Sequence, residues 1–375
     1  MDSSTPRRHN RSSRTGPGES PKPHHCHRTS LEGVINPPAD EVSPDERDKA
    51  TGMFYSIISY IESSMTADLE TPYNRARLVR LIHDYARSQE SKWLLLQEFF
   101  RYTNIIVDDP VDFDDAATVE HLRSRLNSFA DYLMDNLLLP LKASAKKTPQ
   151  PSPAQSSQIP SRFSALGSIE RVASLRRDCL IRDRHRCAIS HNFDLQEAER
   201  RLDQYGEDFA QDDQGCLLTN QVPESFAELE VAHIIPHSFM TTTGNIVLDE
   251  SKRTARELLN MFDHGIIYLI EDSNIDRPLN AITLRIDLHR QFGSFKVFFE
   301  SLPLATHPPH TYQIDTTQRR PLRMSMFPIT RQLHLSPERT IDPPSARLLA
   351  LHCAICKILQ LSGAGDYILV RVPTG

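Results

Sequence analysis

The sequence predicts an α+β protein, in which an N-terminal helical bundle precedes a mixed domain with extra strands and a C-terminal helix. Three observations support this prediction. Apolar residues recur at helical spacing in the first half of the chain, short apolar runs follow in the second half, and a Pro- and Ser-rich segment separates the two halves. With 375 residues, 39% of them hydrophobic, the chain is long enough for two domains with tails.

The first element is a predicted disordered tail, residues 1–42, which is rich in Ser, Pro, Arg and His and has no apolar periodicity. A helix should begin at Pro44, because Ser43 can cap it and Glu46 can complete a capping box. Apolar spacing predicts this helix and three more, represented by Phe54–Ile61, Leu78–Tyr85, Trp93–Phe100 and Val119–Leu133 with an end near Pro140. These helices form a predicted bundle over residues 43–143, which could bind a protein partner.

The second half begins after a predicted linker at residues 144–163 and covers residues 164–375, with a core at 168–300. Its predicted helices are Ile169–Arg182, Ser251–Asp263, a short one from Asp287, and Pro344–Leu361. Its predicted strands are Arg186–Ser190, Leu229–His233, Gly265–Ile270, Leu279–Leu284, Ser294–Phe299 and Tyr367–Val372. The acidic stretch Glu197–Glu228 reads as an inserted surface segment with a partial helix.

Composition excludes several classes of protein. The N-terminus lacks the apolar region of a secretory signal, and no run of about 18 apolar residues could cross a membrane. Six cysteines without a secretory context predict reduced thiols and an intracellular protein, either nuclear or cytoplasmic. The net charge of −6 argues against a surface that binds nucleic acid over its whole extent, so any such contact must come from local basic patches.

Two sequence segments carry recognisable chemistry: Val231–Ser238, which reads VAHIIPHS, and Asn280–Arg290, which reads NAITLRIDLHR. Hydrolysis of a phosphodiester needs a base that deprotonates water and a cation that offsets charge on the phosphate. A histidine at the end of a strand suits the base, because its ordinary pKa leaves much of it neutral. An asparagine can fix the loop that carries this histidine, and a second histidine on the following helix can bind a metal.

The order His-Ile-x-Pro, then Asn, then His nine positions after the Asn, resembles the HNH nuclease domains of the ββα-metal superfamily, in a subfamily found in many fungal proteins. The upstream segment Arg186–Ser190 and the downstream segment Leu284–Phe292 also match this pattern. The resemblance covers about a third of the chain. It implies a metal-dependent endonuclease that acts on nucleic acid, with DNA as the first candidate.

Carried over by position, the resemblance assigns His233 as the general base and Asn280 as the residue that braces its loop. His289 would bind a divalent cation, which could be Mg²⁺, Mn²⁺ or Zn²⁺, with His237 as a further candidate ligand. Arg285 or Arg290 would contact a phosphate.

Two departures from the pattern make the predicted metal site incomplete. Ala232 stands where many HNH domains have an Asp, Glu or His ligand, and Gly293 stands where a second helix ligand is common. His237, Asp287 or Asp263 could substitute. Two hypotheses therefore stay open: an endonuclease with weakened activity, or a catalytically inactive HNH fold that acts as a nucleic-acid or protein binding module.

Plainer interpretations compete with each of these assignments. His233 and His289 could be structural histidines bonded to backbone carbonyls, and Asn280 could be an ordinary loop residue. The arginines of Arg176–Arg186 alternate with aspartates, which is typical of a solvated helix face. His352-Cys353-x-x-Cys356 has zinc-like spacing but lies in an apolar helix, so core thiols are the expectation.

Overall fold

The computed structural model of the protein describes residues 43–64, 73–109, 111–145, 163–240, 246–336, 338 and 340–371. The predicted tail, residues 1–42, and most of the predicted linker, residues 146–162, lie outside the described residues. Helices and small sheets are mixed, as expected for an α+β protein. None of the described helices combines the length and apolarity needed to cross a membrane.

The N-terminal part is helical throughout its described residues. Its elements are α1 (Pro44–Ser64), α2 (Arg75–Tyr85), α3 (Gln89–Thr103), α4 (Ala116–Leu133), a π-helical turn (Met134–Leu138) and α5 (Leu139–Ala145). The predicted capping box begins α1, since the backbone N–H of Glu46 donates to Ser43 Oγ at 3.2 Å. The chain stays helical through Pro140, which comes shortly after the π-helical turn in a continuous helical run.

Aromatic rings form the centre of this bundle. Phe54, Phe99 and Phe129 are fully buried. The ring of Phe99 packs edge to face against that of Phe54, with centroids 5.1 Å apart, and against that of Phe129, with centroids 5.7 Å apart. They come from α1, α3 and α4 respectively, so the helical stripes read from the sequence do face one another.

The second half contains short strands between helices. In order, the elements are α6 (Phe163–Arg182), β1 (Phe193–Asp194), α7 (Leu195–Tyr205), β2 (Phe226–Ala227), β3 (Leu229–His233), α8 (His237–Met240), α9 (Ile246–Leu259), β4 (Ala281–Arg285), α10 (Ile286–Gly293), β5 (Val297–Ser301), β6 (Thr311–Thr316), β7 (Ile329–Gln332), α11 (Ala346–Leu361) and α12 (Ala364–Arg371).

Strands β3 and β4 form the sheet that carries the motif residues. They pair antiparallel with Ala232 opposite Ile282 and His233 opposite Ala281. Helix α10 begins directly after β4 and packs against β3, while α6 also contacts both strands. A separate antiparallel sheet has the order β5-β6-β7, and β1 and β2 form a two-residue parallel pair.

Three predicted strands were wrong. Gly265–Ile270 contains a 3₁₀ helix, Ile266–Leu269, entered through Gly265 with φ +78°. The described part of Tyr367–Val372 belongs to α12. Arg186–Ser190 forms a turn in which only Arg186 makes a bridge, to Phe193. Short apolar, β-branched runs fit a buried helical turn as well as a strand, so periodicity could not separate the two.

A buried ion pair fastens α6 to β4. Arg182 is fully buried and binds both carboxylate oxygens of Asp183 at 2.8 Å. Its guanidinium also donates to the carbonyls of Pro278 and Ala281, and Asp183 accepts from the backbone N–H of Thr283. The prediction of a solvated face was therefore wrong for Arg182, because these carbonyls replace the water that a surface arginine would bind.

The bundle and the second half share one hydrophobic core, which runs from α1 to α12. Polar contacts reinforce it: the buried Ser91 Oγ donates to the carbonyl of Asn260 at 3.0 Å and accepts from the N–H of His264 at 2.8 Å. At another point, Ser238 Oγ in α8 donates to the carbonyl of Ser144 in α5. The domain boundaries drawn from the sequence stay a prediction.

Cys353 and Cys356 are buried free thiols within α11, as expected from the apolar helix around them. The neighbouring His352 donates from Nε2 to the carbonyl of Phe292 at 3.1 Å, and its Nδ1 lies 3.5 Å from Sγ of Cys356. These residues therefore belong to the core.

Candidate functional site

His233 lies at the end of β3 with its two ring nitrogens in different environments. Nε2 is 3.2 Å from Asp276 Oδ1, whereas Nδ1 is buried and has no hydrogen-bond partner among the described residues. Burial lowers the pKa of His233, and the hydrogen bond to Asp276 opposes this effect. The imidazole is therefore predominantly neutral at pH 7.

His237 comes next to the same carboxylate because the chain turns back at Pro236 and enters α8. Its Nδ1 is 2.6 Å from Asp276 Oδ1, and its ring centroid is 5.6 Å from that of His233. Burial raises the pKa of Asp276, but the hydrogen bonds from the two histidines outweigh it and hold that pKa well below its usual range. Asp276 is thus a carboxylate shared by two imidazoles.

This group of His233, His237 and Asp276 has the donor atoms of a metal site. One ligand atom from each residue lies within 4.8 Å of the others, and all three residues are buried. Two imidazoles and one carboxylate suit Zn²⁺ or Mn²⁺ better than Mg²⁺. The second oxygen of Asp276 is 3.4 Å from Nε of Arg171 on α6, whose side chain is 47% exposed, whereas that of Asp276 is 1% exposed.

Asn280 connects the two loops that carry this group. It is fully buried; its Oδ1 accepts from the N–H of Ile235 at 2.9 Å. Its Nδ2 donates to the carbonyls of Ile235 and Ile275, both at 3.0 Å. Ile235 follows His233 by two residues and Ile275 precedes Asp276, so one amide fixes both segments.

His289 lies on α10 and contacts a carboxylate that the sequence analysis did not consider. Its Nδ1 is 2.6 Å from Glu230 Oε2 on β3, and the hydrogen bond to His289 lowers the pKa of Glu230. Both side chains are partly exposed, at 13% and 25%. Glu230 lies in β3, the strand that ends at His233, and α10, which carries His289, packs against that strand.

The arginines predicted to contact phosphate differ in availability. Arg285 forms a two-point ion pair with Asp287 at 2.6 and 2.7 Å, which neutralises its charge. Arg290 is exposed, and its charge lowers the pKa of Glu230. Arg176 on α6 acts on Glu230 in the same way and donates to the carbonyl of Leu229. Glu230 is thus surrounded by positive charge from α6 and α10.

Of the residues proposed to replace the missing ligands, His237 belongs to the group around Asp276, whereas Asp263 and Asp287 form ion pairs with arginines. Asp263 pairs with Arg347 at 2.6 and 2.7 Å, and Asp287 pairs with Arg285. Ala232 is buried in β3, and Gly293 ends α10.

Sequence reasoning missed Glu230, Asp276 and Arg171. Residues 230 and 232 lie on the same face of a strand, so strand periodicity could have indicated that Glu230 occupies the side of the absent ligand. Asp276 offered a weaker signal, as an acidic residue four positions before Asn280. Arg171 offered none, because its position depends on how α6 packs.

Comparison with known proteins gives a match to one part of the chain. Residues 216–300 match a family model described as HNH endonuclease. This range contains β3, β4 and α10, together with His233, Asp276, Asn280 and His289. No curated protein and no solved structure gives a significant match to the chain.

Proposed function

Since the chain carries an HNH nuclease domain at residues 216–300, we propose that it is a metal-dependent endonuclease that hydrolyses phosphodiesters in nucleic acid, most directly DNA. The observation that carries this proposal is the state of His233. Its Nε2 lies 3.2 Å from the carboxylate of Asp276, and its Nδ1 has no partner among the described residues. Glu230, which pairs with His289, lies in the same strand as His233, β3.

His233 serves as the general base. A carboxylate that accepts from Nε2–H fixes the tautomer in which Nδ1 is an acceptor, so this nitrogen can take a proton from water. The lowered pKa keeps the ring neutral at the working pH. Asn280 positions the base, because its three hydrogen bonds hold the segments on both sides of the His233–Asp276 contact.

Glu230 and His289 hold the divalent cation in this proposal. Mg²⁺ and Mn²⁺ commonly use one or two protein ligands and take the rest from water and the substrate phosphate, so a carboxylate with one imidazole fits them. When bound, the cation would offset charge on the phosphate and the leaving oxygen. Glu230 supplies the carboxylate that Ala232 lacks, and the antiparallel pair β3-β4 followed by α10 is then the ββα unit around the cation. Arg176 and Arg290 flank this position and contact phosphate oxygens.

The group His233–His237–Asp276 is a second place for the cation, supported by its three donor atoms within 4.8 Å. In that arrangement Nε2 of His233 would be a ligand, and the contact with Asp276 that orients the base would be lost. Metal binding by variants therefore separates the two arrangements.

The test combines plasmid nicking in Mg²⁺, Mn²⁺ or Zn²⁺ with direct titration of Mn²⁺ by calorimetry. His233→Ala should lower the cleavage rate about 10²- to 10⁴-fold, the range for a general base, and keep Mn²⁺ binding. Glu230→Gln and His289→Ala should lose both, whereas His237→Ala should keep Mn²⁺ binding. Arg177→Ala, an exposed substitution on α6, is the control. Loss of Mn²⁺ binding in His237→Ala but not in His289→Ala would indicate that the cation binds at the group His233–His237–Asp276.

A binding module without activity is the rival function, favoured by the absence of side-chain ligands at Ala232 and Gly293. It predicts that the wild type binds DNA yet cleaves none with any of the three metals. Cleavage by His233→Ala at the wild-type rate would also remove the nuclease proposal.

A further inference from the structure

Basic side chains meet at the turn after α6, outside the matched residues 216–300. The basic cluster consists of Arg184, Arg186, His191, Arg331 and His334. The rings of His191 and His334 have centroids 5.9 Å apart. A guanidinium nitrogen of Arg186 donates to the carbonyl of His191 at 2.8 Å, and Nε of Arg331 donates to the carbonyl of Ile189 at 2.7 Å.

The carboxylates near this cluster are already engaged. Asp183 pairs with the buried Arg182, and Asp212 binds Arg186 at 2.6 Å while accepting from the N–H groups of a turn. Within the part of the chain that the structure describes, no carboxylate contacts the guanidinium of Arg184 or Arg331. Positive charge is therefore concentrated here without a matching counter-charge.

The pKa values of the two histidines reflect this positive charge. Burial lowers the pKa of His191 to about 4, and the charges of Arg331, His334 and Arg186 add to the effect. Burial also lowers the pKa of His334, with a further contribution from Arg184. Both rings are thus neutral near pH 7, and each can donate one N–H.

Unpartnered polar atoms and unusual backbone geometry mark the same place. Nε2 of His334 and Oγ of Ser190 are buried and have no hydrogen-bond partner among the described residues. Arg184 and His191 have left-handed backbone conformations, with φ of +54° and +63°, which cost energy for residues other than glycine. An oxyanion with several acceptor oxygens would satisfy these donors and the excess charge.

We propose that the basic cluster binds a phosphate group, and that its source is the backbone of the nucleic acid on which the HNH domain acts. This inference rests on the proposed function. The cluster adjoins the helix that carries His289, because Arg285 at the start of α10 lies 3.4 Å from Oδ1 of Asn192, the residue after His191. A strand bound at α10 can therefore continue onto the turn after α6.

The experiment uses the full chain with Arg184→Gln and Arg331→Gln, and Arg177→Gln as a matched exposed control. Arg184→Gln is the primary variant. The guanidinium of Arg184 makes no hydrogen bond within the described residues, so the substitution should leave the fold intact. Arg331→Gln is checked by circular dichroism. One arm measures the shift in Tm produced by inorganic phosphate. The other measures the affinity for a labelled DNA duplex by anisotropy across a salt series.

Phosphate should raise the Tm of the wild type and of the control but not that of the two variants. Each variant should bind the duplex about five- to tenfold more weakly at low salt, and the slope of log K against log salt should fall by about 0.9, as for one lost phosphate contact. If the variants lose the Tm shift but keep the wild-type slope of log K for the duplex against log salt, the cluster binds free phosphate and not the nucleic-acid backbone. Equal Tm shifts in the wild type, the two variants and the control would show that the basic cluster does not bind phosphate. The Tm measurement with phosphate does not depend on cleavage. If the nuclease proposal fails, the phosphate-induced Tm shift can still be present, whereas failure of this site removes the difference in Tm shift between the variants and the wild type.

Discussion

The imidazole of His352 lies between the rings of Phe292 and Phe295, with centroids 4.0 and 4.8 Å away. Complete burial in α11 lowers its pKa to about 3, despite the hydrogen bond to the carbonyl of Phe292. The unfolded chain binds a proton at this residue near pH 6.5, whereas the folded chain does not. The neutral ring therefore stabilises the fold above pH 6.5, and this contribution is lost as the pH falls from 6.5 towards 3.

His352→Gln keeps a donor for the Phe292 carbonyl and removes the titration. The free energy of unfolding of the wild type should fall as the pH is lowered from 6.5 to 4. The slope of this free energy against pH reports the number of protons taken up on unfolding, and in the variant this number should be smaller by up to one. Urea unfolding at several pH values measures both slopes. His121→Gln, at an exposed position on α4, is the control. Equal slopes for His352→Gln and the wild type would contradict the assignment.

At the same scale, the sequence could indicate His233, Asn280 and His289 because their spacing is informative by itself. Glu230 and Asp276 carried only weaker signals, since their importance depends on which side chains the folded chain places beside them. The Glu230–His289 and Asp276–His233 contacts join segments that are far apart in sequence. Local patterns do not specify such pairs.

At the scale of elements, the contact of α6 with β4 depends on the buried pair Arg182–Asp183. A buried charge that loses its partner is costly, because neither water nor another ion compensates it. Arg182→Met leaves Asp183 unpaired and the carbonyls of Pro278 and Ala281 without their donor.

Arg182→Met should lower the free energy of unfolding by about 3–5 kcal/mol, measured by urea denaturation. The double variant with Asp183→Asn should recover part of this loss, because the unpaired charge is gone. Arg177→Ala, on the exposed side of the same helix, should change it by less than about 0.5 kcal/mol. A loss below about 1 kcal/mol for Arg182→Met would show that solvent reaches this pair.

The elements themselves were predictable where a pattern was long or capped. The N-terminal helices follow from apolar stripes and the Ser43 cap, and β3 and β4 from short apolar segments beside the motifs. The failures at residues 265–270 and 367–372 concern runs too short to show a period. A glycine with positive φ, Gly265 or Gly363, directly precedes the helical backbone in both cases.

At the scale of the whole molecule, the shared core bears on how the chain unfolds. Apolar side chains of the bundle pack with those of α9 and α11, and Ser91 bonds to the segment after α9. Separate domains joined by a flexible linker would have separate cores, which is not the arrangement of the described residues.

Scanning calorimetry of the full chain should therefore give one unfolding transition whose calorimetric and van't Hoff enthalpies agree. Ser91→Ala removes the hydroxyl that bonds Asn260 and His264 without adding any atom, so it should lower the Tm of the whole transition. Ser128→Ala, at an exposed position on α4, is the control. Two resolved transitions, with only one of them sensitive to Ser91→Ala, would support independent domains.

The three hydrogen bonds of Asn280 have a consequence for how the site fluctuates. The same amide holds the segment after His233 and the segment before Asp276, so neither can move away while the other stays in register. Thermal excursions of this region should then be concerted: His233 and Asp276 are either both in position or both released, with no half-open state between them.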